Sequence, residues 1–86
     1  MLALNKNEEQ RQYLEQIAQA KYEELLKQIT ERRKALGVSL GRMEEETQIY
    51  KSYIHRVEQG DINTSVKKLI VLCEILGLEV TLKEKL

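Results

Sequence analysis

Residues 39–60 read SLGRMEEETQIYKSYIHRVEQG, and this stretch decides the fold. Ser39 is a favourable N-cap residue, so the sequence predicts a short helix over 40–47. The next residues predict a tight turn, and a second short helix is expected over 50–59, ending at Gly60. Two helices this short are not stable alone, so they need a larger body to pack against.

The second of these helices is predicted to have two different surfaces. Ile49, Ile54 and Val57 follow one another at i, i+5 and i+8 and form an apolar row. An apolar back with a mostly cationic front is the shape of a helix that enters a DNA major groove, and it is also the shape of any amphipathic surface helix. The polar residues on the other sides are Lys51, Ser52, His55, Arg56 and Gln59.

The sequence before this stretch predicts one long helix over 7–36, with Gly37 as its stop. Its first part, within residues 1–20, is expected to be an arm that packs on a second subunit or another protein; the alternative is a solvated extension that frays. The domain proper is then expected over 21–77. The apolar stripe consists of Leu14, Ala18, Tyr22, Leu25, Ile29 and Leu36.

After the central stretch, Ser65 is expected to cap a last helix over 66–76. The tail, within 78–86, then alternates apolar and polar residues, which predicts a short strand. A lone strand lacks hydrogen-bonding partners, so a second copy across a two-fold axis is the simplest completion, through Leu78, Val80 and Leu82; the alternative is a frayed tail. Met43 is the predicted inward residue of the helix over 40–47. The predicted inward residues of the last helix are Val66, Leu69, Ile70, Leu72, Cys73 and Leu76.

Charge limits the partners of the chain. Its 86 residues carry 14 basic and 14 acidic side chains, and residues 37–68 are balanced as well. Non-specific DNA affinity comes mainly from the neutralisation of phosphates. A neutral chain must therefore segregate its charges, or it binds DNA weakly or not at all.

The usual signs of catalysis are absent from the sequence. A single cysteine, Cys73, excludes an internal disulfide and a cysteine metal cluster. His55 has no metal-ligating residue at helical spacing, and no Gly-rich phosphate loop occurs. We therefore expect no enzyme, no cofactor and no metal. The sequence has no apolar run of about 20 residues and no signal-like start, which leads us to expect a cytoplasmic protein with no membrane contact.

The residues and their order over about 25–77 resemble one known family. They carry the pattern Ile29…Arg33…Leu36-Gly37-Val38-Ser39, then Thr47…Ile49…Ser52-Tyr53-Ile54…Arg56-Val57-Glu58…Gly60, then Asn63…Ser65, then Leu69…Leu72…Leu76-Gly77-Leu78. This pattern resembles the Cro/phage-repressor-like helix-turn-helix family, often called the XRE family.

The resemblance implies a fold and a set of site residues. The fold is all-α, a lambda-repressor-like helix-turn-helix domain with a long N-terminal helix and a short C-terminal β-strand that pairs across a dimer, as in antitoxin-type members. Arg33 and Glu58 are expected to form a structural ion pair. The base-contacting positions fall on Tyr50, Lys51, Ser52 and Arg56, and the DNA-backbone positions on Ser39, His55, Asn63, Lys67 and Lys68.

Three positions depart from the pattern of the family. Leu40 stands where a Gln is common, Glu44 where a small residue is usual, and Gln48 where Gly usually adopts a left-handed conformation. Two hypotheses follow. The first is a dimeric repressor of double-stranded DNA operators, in one version an autoregulating antitoxin with a toxin partner and in the other a phage or mobile-element repressor. The second is a protein-interaction module of the same fold that has lost DNA binding.

Overall fold

A computed structural model describes residues 7–86 and shows four helices within them. They are α1 (Glu8–Ala35), α2 (Leu40–Thr47), α3 (Lys51–Glu58) and α4 (Val66–Ile75). Each agrees with the predicted helix to within one residue at either end. The predicted all-helical domain is therefore confirmed for this part of the chain.

Side-chain caps and left-handed glycines set the ends of the helices. Ser39 accepts a hydrogen bond from the Arg42 amide at 3.0 Å, and Ser65 accepts one from the Lys68 amide at 3.1 Å. Gly37, which follows α1, has φ +69°. A left-handed residue at this position lets the chain leave the helix while the last carbonyls stay hydrogen-bonded.

The core lies where all four helices meet. Met43 of α2 and Ile54 of α3 are fully buried, and Val57 and Leu72 are nearly so. The helix α2 packs against α3 and α4, and α1 packs against α3. Burial of each such side chain contributes about 1.5–3 kcal/mol, which fixes the back of α3. The other core residues are Leu26, Ile29, Leu69, Cys73 and Leu76.

The inward face of α1 differs from the predicted stripe. Leu14, Leu25 and Leu36 are exposed, whereas Leu26 is buried although the pattern omitted it. The inward row is Tyr22, Leu26, Ile29 and Arg33, again at steps of four, three and four; Tyr22 is half-buried and the other three are buried. The prediction used apolar residues only. It therefore could not include Arg33 and selected the neighbouring row of leucines instead.

Two further predictions of burial were wrong. Val66 is 70% exposed and Ile70 is 40% exposed, so the buried side of α4 is narrower than predicted. The buried residues of this region are Leu69, Leu72, Cys73 and Leu76, and α4 packs against α2.

The tail forms no strand in the single chain that the structure describes. Leu78 packs against the core and its amide donates to the Cys73 carbonyl at 2.8 Å, while Leu82 is 99% exposed. A strand needs a neighbour for its backbone groups, and residues 7–77 provide none. The predicted pairing through Leu78, Val80 and Leu82 therefore requires a second chain, and Leu78 already contributes to the core of its own.

Candidate nucleic-acid interface

The exposed front of α3 carries three of the predicted base-contacting residues and one residue, His55, that was predicted to contact the DNA backbone. At about 100° per residue, Lys51, Ser52, His55 and Arg56 lie within an arc of about 140°. All four are exposed, and their side chains make no hydrogen bond or ion pair with any residue of 7–86. We call these four residues the α3 front.

The opposite side of α3 is held in the core. Ile54 and Val57 are 0% and 1% exposed, and Ile49, just before the helix, packs against the same cluster. The two sides do not overlap around the helix axis. The helix therefore presents its polar side chains outward while its back cannot rotate.

Tyr50 directly precedes α3 and is not one of the four residues of the α3 front. It is the N-cap residue, its backbone is not helical (φ −57°, ψ 136°), and its side chain is 74% exposed. Sequence reasoning placed Tyr50 in the helix, whereas the structure begins the helix at Lys51. The phenol is thus an exposed group at the amino end of α3.

A buried ion pair fixes the carboxyl end of α3 to α1. Arg33 Nε and Nη2 donate to the two carboxylate oxygens of Glu58 at 2.7 and 2.9 Å, and Arg33 Nη1 donates to the Val38 carbonyl at 2.9 Å. The two side chains are 11% and 4% exposed. The hydrogen bonds to Glu58 raise the pKa of Arg33 above its ordinary value. The structure thus brings together the two residues that were predicted to pair.

The amino end of α3 is held by Glu44, a contact that the sequence did not predict. The Lys51 amide donates to Glu44 Oε2 at 3.0 Å, while Tyr50 provides no side-chain cap. A carboxylate is favourable at the amino end of a helix, where the helix dipole is positive. The carboxylate of Glu44 therefore caps the neighbouring helix through a backbone amide. The signal that could have revealed it is the lack of Ser, Thr, Asp or Asn at position 50.

The turn between α2 and α3 accommodates the third departure from the family pattern. Gln48 has φ +60°, the left-handed conformation that Gly usually supplies. Thr47 Oγ1 donates to the Met43 carbonyl at 2.7 Å and accepts from the Ile49 amide at 3.2 Å. These bonds hold the turn although Gln48 adopts a conformation that disfavours a side chain.

The loop after α3 is tied to its neighbours by two tyrosines. The Thr64 amide donates to the Tyr22 hydroxyl at 2.9 Å, and the Tyr53 hydroxyl donates to Thr64 Oγ1 at 3.0 Å. Lys68 Nζ lies 4.4 Å from the centroid of the Tyr53 ring. This cation–π contact places a positive charge beside α3. The sequence analysis placed Tyr22 in the apolar stripe and Tyr53 in the family pattern, but it predicted neither of these hydroxyl contacts.

The predicted DNA-backbone residues have different surroundings. Ser39 is exposed, but its hydroxyl oxygen caps α2. Asn63 lies in the loop after α3, and Lys67 and Lys68 lie on the first turn of α4; all three are exposed. The assignment of these residues to the DNA backbone stays a prediction.

Charges on α2 are partly paired. Arg42 Nε donates to Glu46 Oε1 at 2.9 Å on the surface of that helix. Glu45 is exposed and has no ion pair among the described side chains.

Within residues 7–86 no cluster of three or more His, Cys, Asp or Glu residues is arranged to bind a metal. No helix in the same range is long and apolar enough to cross a membrane.

A family model described as a helix-turn-helix domain matches residues 24–86. The chain belongs to this helix-turn-helix family. The match includes all of α2, α3 and α4 together with the end of α1 that carries Leu26, Ile29 and Arg33. A helix-turn-helix domain indicates a DNA-binding regulator, a class that is typically not enzymatic. No curated protein and no solved structure matches the chain.

Proposed function

We propose that this helix-turn-helix protein is a sequence-specific transcription regulator that reads the DNA major groove with α3. The observation that carries the proposal is the α3 front, which is exposed, polar, and unpaired within the described chain. Side chains with no partner in the protein are available to donate to bases without first breaking a contact. The rigid back of α3 keeps them in a fixed arrangement, which sequence discrimination requires.

The chemistry of each side chain in the α3 front, and of Tyr50 just before the helix, assigns it a role in binding. Arg56 and Lys51 are suited to donate to guanine O6 and N7, and Ser52 to a base or a phosphate. Tyr50 reaches a thymine methyl group or a phosphate from the amino end of the helix. His55 lies on the flank and donates to phosphate.

In the proposal, the residues that contact the DNA backbone come from the segments before and after α3. Lys67, Lys68 and Asn63 lie beyond α3, and Ser39 with the start of α2 lies before it. The cation–π contact of Lys68 with Tyr53 supports a positive surface adjoining α3. Such a surface is the charge segregation that a chain with no net charge needs in order to bind DNA.

We further propose a homodimer, which would present two copies of α3 to half-sites about one helical turn apart. Val80 and Leu82 are exposed apolar residues of the tail and are our candidates for pairing across the two-fold axis, with Leu78 anchoring the strand to its own core. In the domain division we propose, 21–77 binds DNA, 78–86 is the tail and 1–20 is an arm, of which residues 1–6 lie outside the part of the chain that the structure describes. Exposed Tyr13 and Leu14 support a second contact there, and a toxin is the partner in the antitoxin version.

One observation favours the competing function, a protein-interaction module without DNA binding. The carboxylate of Glu44 lies at the amino end of α3, where a phosphate would otherwise be attracted. With no net charge on the chain, this acidic group weakens any purely electrostatic attraction to DNA.

Selection of duplexes from a random pool, followed by titration in increasing salt, tests the proposal. The chain should enrich a specific sequence, and its affinity for it should fall steeply with salt. Arg56→Ala should cost about 1–3 kcal/mol of specific binding. Arg11→Ala is the matched control, because Arg11 lies on the arm and is 66% exposed in a weak pair with Glu8. Equal affinities for the two variants would refute the assignment of α3.

The dimer has a separate test. Deletion of residues 80–86 leaves Leu78 in the core and should convert the dimer to a monomer in sedimentation equilibrium. A dimer that survives this deletion would exclude the tail as the interface and move it to the arm.

A further inference from the structure

Glu44 of α2 interacts with the amino end of α3 through its charge as well as through packing. Its Oε2 accepts from the Lys51 amide at 3.0 Å, and the residue is half-buried between the two helices. The amides of Ser52 and Tyr53, the next two in α3, have no protein partner within the described chain. A fixed negative charge therefore lies at the end of α3 that carries the positive pole of the helix dipole.

This position matters because amino ends of helices commonly contact DNA phosphates. Backbone amides and the helix dipole attract a phosphate there without regard to sequence. In this protein Glu44 already satisfies the first of those amides. A phosphate that approaches the other two also approaches a carboxylate, and two anions a few ångströms apart repel each other.

We propose that Glu44 is the residue that limits the affinity of this protein for the DNA backbone. The inference rests on the proposed function and deepens it. Glu44 lowers the binding of α3 to phosphate on any duplex, so that a stable complex depends on the base contacts of Lys51 and Arg56. The hydrogen bond to Lys51 holds the charge in place, whereas a carboxylate free in solvent could turn away from an approaching phosphate.

The other acids of α2 provide the comparison. Glu46 is paired with Arg42, so its charge is largely compensated. Glu45 is exposed, belongs to the same helix, and makes no hydrogen bond or ion pair with α3 among the described residues. Glu45→Gln therefore changes the net charge by the same amount as Glu44→Gln without changing the amino end of α3.

Two substitutions separate the charge of Glu44 from its capping role. In Glu44→Gln the amide oxygen can still accept from Lys51, so the charge is lost and the hydrogen bond is kept. In Glu44→Ala both are lost. Thermal unfolding should show the Gln variant melting close to the native chain and the Ala variant melting lower.

The decisive measurement is the affinity of each variant for a random-sequence duplex of about 30 base pairs, titrated over a range of salt concentrations. Glu44→Gln should bind roughly three- to tenfold more tightly at low salt, in line with one removed charge near a phosphate. Its plot of log affinity against log salt should be steeper by about one unit. Glu45→Gln should match the native chain in both quantities.

Four results would overturn the inference about Glu44. They differ in whether they also overturn the proposed function. If Glu44→Gln binds like the native chain while Arg56→Ala binds a selected duplex more weakly, the inference fails and the proposed function stands. An equal gain in both Gln variants would show a general effect of net charge. A gain confined to Glu44→Ala would show an effect of capping. If neither the native chain nor Glu44→Gln binds any duplex, the inference and the proposed function fail together.

Discussion

The ion pair between Arg33 and Glu58 allows a quantitative prediction for Glu58→Ala. The substitution removes two charge-assisted hydrogen bonds from a guanidinium whose side chain is only 11% exposed. Loss of one partner from a buried pair typically costs 3–5 kcal/mol, because the remaining charge stays desolvated. Arg33 keeps its bond to the Val38 carbonyl, which places this case at the lower end, about 3 kcal/mol.

A loss of this size is large for a chain of 86 residues. For domains of this length, each kcal/mol corresponds to about 4–8 °C in Tm, so Glu58→Ala should lower Tm by about 12–24 °C. Circular dichroism of the helical signal during heating measures the shift. Glu45→Ala is the control, since Glu45 is an exposed acid on a neighbouring helix without an ion pair in the described chain.

The double variant Arg33→Met with Glu58→Leu separates the pair from its packing. Apolar side chains of similar volume should recover most of the loss, because no uncompensated charge remains. The reasoning would be refuted if Glu58→Ala shifted Tm no more than Glu45→Ala does.

Three other substitutions give predictions that thermal or chemical unfolding can check. Gln48→Gly should stabilise the fold by about 0.5 kcal/mol, or about 3 °C in Tm, because Gly adopts φ +60° without strain; a lower Tm would show that the Gln side chain stabilises the turn. Tyr22→Phe should cost about 1 kcal/mol and speed hydrogen exchange at the Thr64 amide, which loses its acceptor; unchanged exchange would contradict this. Burial, with a smaller effect of Glu74, raises the pKa of the Cys73 thiol above its ordinary value, so the unfolded state ionises first and stability falls as pH rises through the pKa of the unfolded-state thiol. In urea unfolding at about pH 7.5 and about pH 10, the decline should be smaller for Cys73→Ala than for the native chain; equal declines would be inconsistent with a buried thiol.

The helices were predictable because the residue types at their ends determine where each helix begins and stops. Ser39 and Ser65 cap α2 and α4 through their hydroxyl oxygens, as expected from residue type. The glycines that end α1, α3 and α4 all have positive φ, which a short-range pattern can indicate. Fully buried Met43 and Ile54 likewise follow from apolar spacing.

Other features depend on contacts between distant residues. Arg33 lies inward because Glu58, 25 residues later, is there to pair with it, and a hydrophobic pattern therefore misplaced the inner face of α1. The carboxylate of Glu44 reaches the Lys51 amide only once α2 and α3 have packed. A strand in the tail depends on a second chain, which the sequence of one chain does not supply.

The resemblance to a known family located the candidate site where periodicity alone did not. Alternation of apolar and polar residues distinguishes the back of α3 from its front, but it does not distinguish a groove-reading face from a solvated one. The structure adds that the α3 front is exposed and unpaired within residues 7–86.

The most direct test of the central claim, that the α3 front reads DNA, is an amide NMR titration of the labelled chain with a selected duplex. The account predicts that the largest chemical-shift changes fall on residues 50–56, with smaller ones at the starts of α2 and α4. Changes concentrated on the arm before residue 21, with 50–56 unaffected, would contradict it.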